Sequence, residues 1–189
     1  MRDAIAEWQK ACPFLKFKEI NNIELVHQAS FIKFDCIRFF HGDGSYSSLG
    51  RSGNGMMQSL SIDKDVNSKG TPMHEIGHAL GMIHEHCRVD RDDDIIVYMD
   101  NIKKDKRHNY EKVSSNLLMT NGTSNSNYPL SSKIDFNSVM LYSSWSGFAI
   151  DQTKPVMVKK DLTDFYGQRD YISRNDKFIM HSFYGISPF

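Results

Sequence analysis

The stretch that decides the fold reads His74-Glu75-Ile76-Gly77-His78-Ala79-Leu80-Gly81-Met82-Ile83-His84-Glu85. Residues four apart on an α-helix lie about 40° apart around the axis and roughly 6 Å apart along it. His74 and His78 can therefore aim two imidazoles at one point. Glu75 stands beside the first of them and can reach a water bound to a metal held there. Gly81 can take a left-handed conformation and end the helix in a sharp turn. That turn can return His84 as a third nitrogen ligand. Three histidines leave a tetrahedral zinc ion one open position, which is the arrangement of a catalytic rather than a structural site. A bare His-Glu-x-x-His also arises as two surface histidines flanking a surface glutamate. The glycine and the third histidine at fixed offsets argue against that alternative here.

This extended pattern is the metzincin motif, and glutamate after the third histidine resembles the astacin family. Further stretches carry the same resemblance. His84-Glu85-His86-Cys87-Arg88-Val89-Asp90-Arg91-Asp92 is similar to the astacin continuation. Ser138-Val139-Met140-Leu141-Tyr142 resembles the Met-turn, with leucine where histidine is usual. Tyr166-Gly167-Gln168-Arg169, followed by Ile172-Ser173, Asp176 and Tyr184, resembles the C-terminal pattern. Gly50-Arg51 with Gln58-Ser59-Leu60 resembles the segment before the active-site helix. The cysteine usage is closer to bacterial secreted members, of the myroilysin type, than to animal ones.

The resemblance implies an α+β, zincin-like fold. Residues 1–84 would form an N-terminal lobe with a twisted mixed sheet and the active-site helix. Residues 85–189 would form a mostly irregular C-terminal lobe with a final helix. It implies one catalytic Zn2+ on His74, His78 and His84, with Glu75 as general base. Tyr142 would be a fifth zinc ligand in the resting state that swings to hydrogen-bond the tetrahedral intermediate. Met140 would form an apolar floor under the ion, and Leu141 would bear on hydrogen bonding around the site rather than on zinc binding. The substrate class is protein or peptide, bound along residues 57–62 as the edge strand of the sheet. An upstream inhibitory propeptide and a secreted location are implied too. The chain opens directly into a helical pattern at Met1, so a leader and propeptide are expected to precede it. Glu85 lies near a buried N-terminus in the family. A salt bridge to Arg88 or Arg91 is its alternative partner here.

Composition narrows the competing classes. A chain of 189 residues suits one domain or two small lobes, and at 40% hydrophobic and 12% aromatic it can bury a core. Its 23 basic and 23 acidic residues cancel, so no global field favours nucleic acid. No apolar run approaches the ~18 residues of a membrane span. Three cysteines allow at most one bridge among Cys12, Cys36 and Cys87, and buried free thiols are the alternative.

Along the chain, residues 3–12 read as an amphipathic helix. Phe14-Lys18, Ser30-Cys36 and Met57-Ile62 read as strands, and His41-Ser45 as a loop. Thr71 is the expected N-cap of the motif helix, with Pro72 at its first position. Asn101-Lys112 reads as partly helical, with Lys103-His108 a solvated face or an anionic docking patch. Ser114-Ser126 reads as loop, and Asn121-Gly122-Thr123 is a glycosylation sequon in form. Ser173 and Asp176 read as the cap of a final helix. His27, His41, His86, His108 and His181 are read as structural or solvent-facing. Two other functions compete with a peptidase. An inactive zinc-bearing binding domain of the same fold is disfavoured because Glu75 is present. A structural metal site is disfavoured because three histidines provide no fourth protein ligand.

Overall fold

The computed structural model describes residues 1–20, 35–53, 55, 57–113 and 133–186. Helix α1 (Arg2–Ala11) turns Ala4 and Trp8 inward, one helical turn apart, and both are completely buried. The Trp8 indole N–H donates to the Met73 carbonyl at 2.9 Å, so the large ring is buried with its one polar atom satisfied. Phe14-Lys18, expected as a strand, instead leaves the helix through a turn and joins no ladder. Its alternation reflects partial packing of Phe14, Leu15 and Phe17 on the core rather than strand pairing.

Strands β1 (Cys36–Gly42), β2 (Tyr46–Ser47) and β3 (Met57–Asp63) form a mixed sheet in the order β1-β3-β2. His41 and Gly42, expected in a loop, complete β1. That strand pairs β3 in parallel from Cys36–Met57 to Gly42–Asp63, while β2 pairs it antiparallel only at Tyr46–Ser61 and Ser47–Leu60. Residues 57–62 are therefore a strand as expected, but the central one and not the edge. The reason lies in its neighbours, β1 on one side and, at Leu60 and Ser61 only, β2 on the other. Gln58, Leu60 and Ile62 alternate into the core, and β1 covers the ladder on one side along its whole length. Gln58 is the polar exception, and its amide accepts from Ser52 N at 2.9 Å and donates to Gly50 O at 3.1 Å.

Helix α2 (Gly70–Ala79) carries the motif. It starts earlier than expected, with Lys69 rather than Thr71 as the cap residue. Met73 N already bonds Lys69 O at 3.0 Å, and Pro72 still falls among the first N–H positions that have no helical acceptor. Gly70 is needed there because an added Cβ would lie 2.1 Å from Arg169 O.

Beyond α2 the chain runs through 3-10 turns at Glu85–Cys87, Arg91–Asp93, Met99–Asn101 and Lys104–Tyr110. A small antiparallel pair follows, β4 (Ile95–Val97) with β5 (Met157–Lys159). Helix α3 (Arg174–Phe183) closes the described chain. Its capping box is as expected, with Ser173 Oγ accepting from Asp176 N and the Asp176 carboxylate accepting from Ser173 N.

Among the described residues two hydrophobic clusters result. The first holds Trp8, Leu60, Ile62, Met73 and Ile76, joined by Val139, Met140, Ile179 and Met180. The second holds Ile95, Ile102, Tyr110, Leu141, Val156 and Phe165. The three cysteines are free, with Cys12 and Cys87 buried and Cys36 partly so. Among the described residues no helix is long and apolar enough to cross a membrane. Most of the expected Ser30-Cys36 strand, His27, the Ser114-Ser126 loop and the sequon lie outside the described residues.

Candidate metal centre and active site

The end of α2 shows how Gly81 acts. Its φ is +106°, a region open to glycine. Gly81 N bonds His78 O at 2.9 Å and Met82 N bonds Gly77 O at 2.9 Å. These two bonds form a Schellman closure, and the chain then doubles back so that His84 faces the helix. The Nε2 atoms of His74, His78 and His84 come within 3.0–3.1 Å of one another.

That triangle fits a metal ion. His74 Nδ1 donates to Val139 O and His78 Nδ1 donates to Met82 O, both at 2.8 Å. A carbonyl can only accept, so the proton of each of these rings sits on Nδ1 and Nε2 is bare. Facing nitrogen lone pairs repel unless a cation lies between them. A tetrahedral ion ~2.0–2.1 Å from each nitrogen asks for spacings of about 3.3 Å, close to those found. Burial pushes His78 down to about 4 and His74 and His84 well below the usual imidazole value, so the three rings stay neutral, the form that coordinates a metal.

A second grouping, His84, His86 and Cys87, also places its ligand atoms within 4.8 Å of one another. It suits a metal less well. His86 Nε2 and the Cys87 thiol both donate to the Asn109 carbonyl, at 3.0 and 3.1 Å. Burial pushes the Cys87 thiol up to about 12, which keeps it protonated. His86 is thus completely buried and tied to the Asn109 carbonyl.

Glu75 is 6% exposed, and its Oε2 is buried without a hydrogen-bond partner. Burial raises its carboxyl to about 7, against the pull of Arg169. Tyr142 packs its ring 4.4 Å from that of His84 and 4.6 Å from that of His86, centroid to centroid. Burial first, then Tyr110 and Glu75, raise its hydroxyl above the usual phenol value, so it is a neutral donor. Met140 is completely buried beneath α2. Gly77 makes room for it, since a Cβ there would lie 2.6 Å from the Met140 sulfur. Leu141 is also completely buried but points into the second cluster. An apolar side chain at this position packs where histidine would need a partner.

Glu85 takes the alternative partner named above. Its Oε1 accepts from Arg88 Nη1 at 2.8 Å and from Asp135 N at 2.9 Å. Both side chains of the pair are 1% exposed. Arg169 carries no role in the linear pattern beyond its place in the C-terminal motif. Its guanidinium donates to Leu141 O at 3.0 Å and Gln168 O at 2.7 Å, and its charge acts on Glu75 and Tyr142. The carbonyls of Val139 and Met82, which orient two of the three histidines, leave no trace in a sequence because every residue has a carbonyl.

Known proteins resemble the chain in sequence and in fold. The profile of the peptidase family Astacin matches residues 1–185. The astacin-like metalloprotease toxin 1 of Loxosceles intermedia is 36% identical over 120 residues, 64% of this chain and 41% of that protein. The chain thus spans less than half the length of this relative. Among solved structures, high choriolytic enzyme 1, a hatching-enzyme zinc protease of medaka (Oryzias latipes), superposes with a TM-score of 0.71 at 26% identity, covering 98% of this chain and 84% of that one. A structure of myroilysin gives a TM-score of 0.44 at 25% identity, over 78% of this chain and 71% of that one. With the matching profile extending over nearly every residue, the chain belongs to the astacin family of peptidases.

Proposed function

We propose that this protein is a zinc-dependent endopeptidase, with His74, His78 and His84 as metal ligands and Glu75 as general base. The observation that carries the reading is the triangle of facing Nε2 atoms, those of His74 and His78 bare, beside a buried, unpartnered Glu75 oxygen. Zinc bound at the three nitrogens supplies Lewis acidity toward the scissile carbonyl and lowers the pKa of water there toward ~7. The Glu75 carboxylate takes the proton of the attacking water and returns it to the leaving amine nitrogen. The neutral Tyr142 hydroxyl donates to the oxygen on which negative charge develops, a role that matters in the transition state more than in the ground state. Val139 and Met82 hold the His74 and His78 rings in the tautomer that coordinates.

The substrates are proteins or peptides in extended form. Pairing them with residues 57–62 is replaced by a different edge. Among the described residues, β1 and β2 are the two edges of the sheet, and β2 is the edge that packs against α2. Gly50 N, just past β2, bonds His78 O at 2.8 Å. A peptide adding to β2 as a strand would therefore pass the metal centre. A secreted site of action fits relatives described as a toxin and a hatching enzyme, and a propeptide covering the metal centre before activation belongs to the same reading. The test is hydrolysis of casein or gelatin with and without a chelator, alongside Glu75→Gln. Zinc-dependent cleavage that Glu75→Gln abolishes while keeping its zinc supports the proposal. Cleavage indifferent to the chelator, or equal in the variant, overturns it.

A further inference from the structure

Asp176 is completely buried at the start of α3, yet its carboxylate does more than cap that helix. Oδ1 accepts from Ser138 Oγ at 2.6 Å, and Oδ2 accepts from Val139 N at 3.0 Å and from Ser173 N at 3.0 Å. Ser138 Oγ in turn accepts from Met140 N at 3.0 Å. One side chain thus fixes three successive residues of a turn that lies far from it in sequence.

Both ends of the metal motif hang on that turn. Val139 O accepts from His74 Nδ1 at 2.8 Å, and Met140 O accepts from Glu85 N, next to His84, at 3.1 Å. We propose that Asp176 is a positioning residue of the metal centre, setting the His74 ring through Val139 and the His84 backbone through Met140. This rests on the metal-ligand reading above and extends it to a residue that touches neither metal nor substrate. Removing the carboxylate frees the 138–140 turn to move, and the acceptor that holds His74 in register moves with it. Partners that orient a metal-binding histidine contribute roughly 10–100-fold in metal affinity.

Asp176 also belongs to a capping box, so its test must separate positioning from stability. Ser173→Ala serves as the control. It removes the Ser173 Oγ bonds to Asp176 N at 2.9 Å and to Asp135 but leaves the Asp176–Val139 bond in place. Zinc affinity would be measured on the full chain by competition with a chromophoric chelator, together with Tm. Asp176→Ala is expected to bind zinc about 10–100-fold more weakly. Asp176→Asn keeps an acceptor for Val139 N and should stay within a few-fold of the parent protein. Ser173→Ala should lower Tm and leave zinc affinity unchanged. Wild-type affinity in Asp176→Ala, or an equal loss in Ser173→Ala, overturns the proposal. If Asp176→Ala does not fold, Asp176→Glu replaces it, since glutamate at this position keeps the helix cap while displacing the carboxylate. About tenfold weaker binding supports the proposal, and unchanged binding overturns it. His74→Ala, measured alongside, tells the two readings apart. Undiminished zinc binding in that variant would remove the metal-ligand assignment itself.

Discussion

Around Trp8 the backbone is paired with itself, in α1, α2 and the β1-β3-β2 sheet. Around Tyr110 the chain runs mainly between 3-10 turns and is tied down by individual side chains. Asn101 Oδ1 accepts from Asp151 N at 2.9 Å, and its Nδ2 reaches the carbonyls of Asp151 and Lys154. Ser144 Oγ accepts from Phe165 N at 2.8 Å, and Asp94 accepts from Ile134 N at 2.8 Å. Regular ladders satisfy backbone groups by repetition, whereas these loops satisfy them one at a time. The proposed active site lies where the two constructions meet. Val139 and Met140 are buried in the first cluster and Leu141 in the second.

The largest effect should come from exchanging one active-site group on each side of that seam. Glu75→Gln, on the helix side, is expected to lower turnover on the order of 10²–10⁴-fold with zinc retained. Tyr142→Phe, on the loop side, is expected to lower kcat by about 10²-fold and leave KM nearly unchanged. Steady-state kinetics on a peptide substrate would check both. A larger loss from Tyr142→Phe would shift the main chemistry to the loop side.

Acid should strike the seam next. His74, His78, His84 and His86 are all held below their ordinary values by burial, His78 to about 4 and His86 to about 3. At these four rings the unfolded chain binds more protons than the folded one between ~6.5 and the folded values. Glu75 and Glu85, raised by burial to about 7, and Asp176, also raised, act in the opposite sense. The rings' contribution to stability is therefore full above ~6.5 and is lost as pH drops toward the folded values. Four lowered rings outnumber the three raised carboxyls, so the net change is a loss. Thermal melts of the metal-free protein from pH 7.5 to 4.5 should show Tm falling steadily. A flat profile would mean that the buried carboxyls offset the buried rings in full.

Truncation inside the clusters compares the two constructions directly. Trp8→Ala should cost about 3–5 kcal/mol and Leu141→Ala about 2–5 kcal/mol. Because residues 139–141 pack into both clusters, each variant should unfold in one transition seen equally by fluorescence and circular dichroism. Two separated transitions would show that the seam does not couple them. The smallest effect is expected from Asn101→Ala, about 1–3 kcal/mol for unsatisfied loop groups, with zinc affinity unchanged. Denaturant titration would measure it, and a loss of zinc would join this loop to the metal centre.

The same contrast explains what could be read in advance. Where structure repeats, its signal repeats too. Histidines four apart, the Gly81 stop, the Ser173–Asp176 cap and the alternation of Gln58, Leu60 and Ile62 all show in the linear pattern. Strand neighbours do not. The parallel pairing of β1 with β3 places Met57–Asp63 in the middle of the sheet, because the alternation of one strand says which face is buried and nothing about what lies beside it. The cap of α2 lies two residues before the expected Thr71. Threonine is a good capping type, while the tight approach of Gly70 to Arg169 is visible only in three dimensions.

By itself the sequence determined the family, the three candidate ligands and the neighbouring glutamate, since these depend on helix periodicity and on one glycine's access to positive φ. Only the tertiary structure decided what holds those groups in place. His74 is set by the carbonyl of Val139, Val139 by the carboxylate of Asp176, and Glu85 by the Asp135 amide. Each of these bonds joins a side chain to a backbone atom or a charge whose position depends on the whole packed chain. Residue type alone does not say where such an atom will lie.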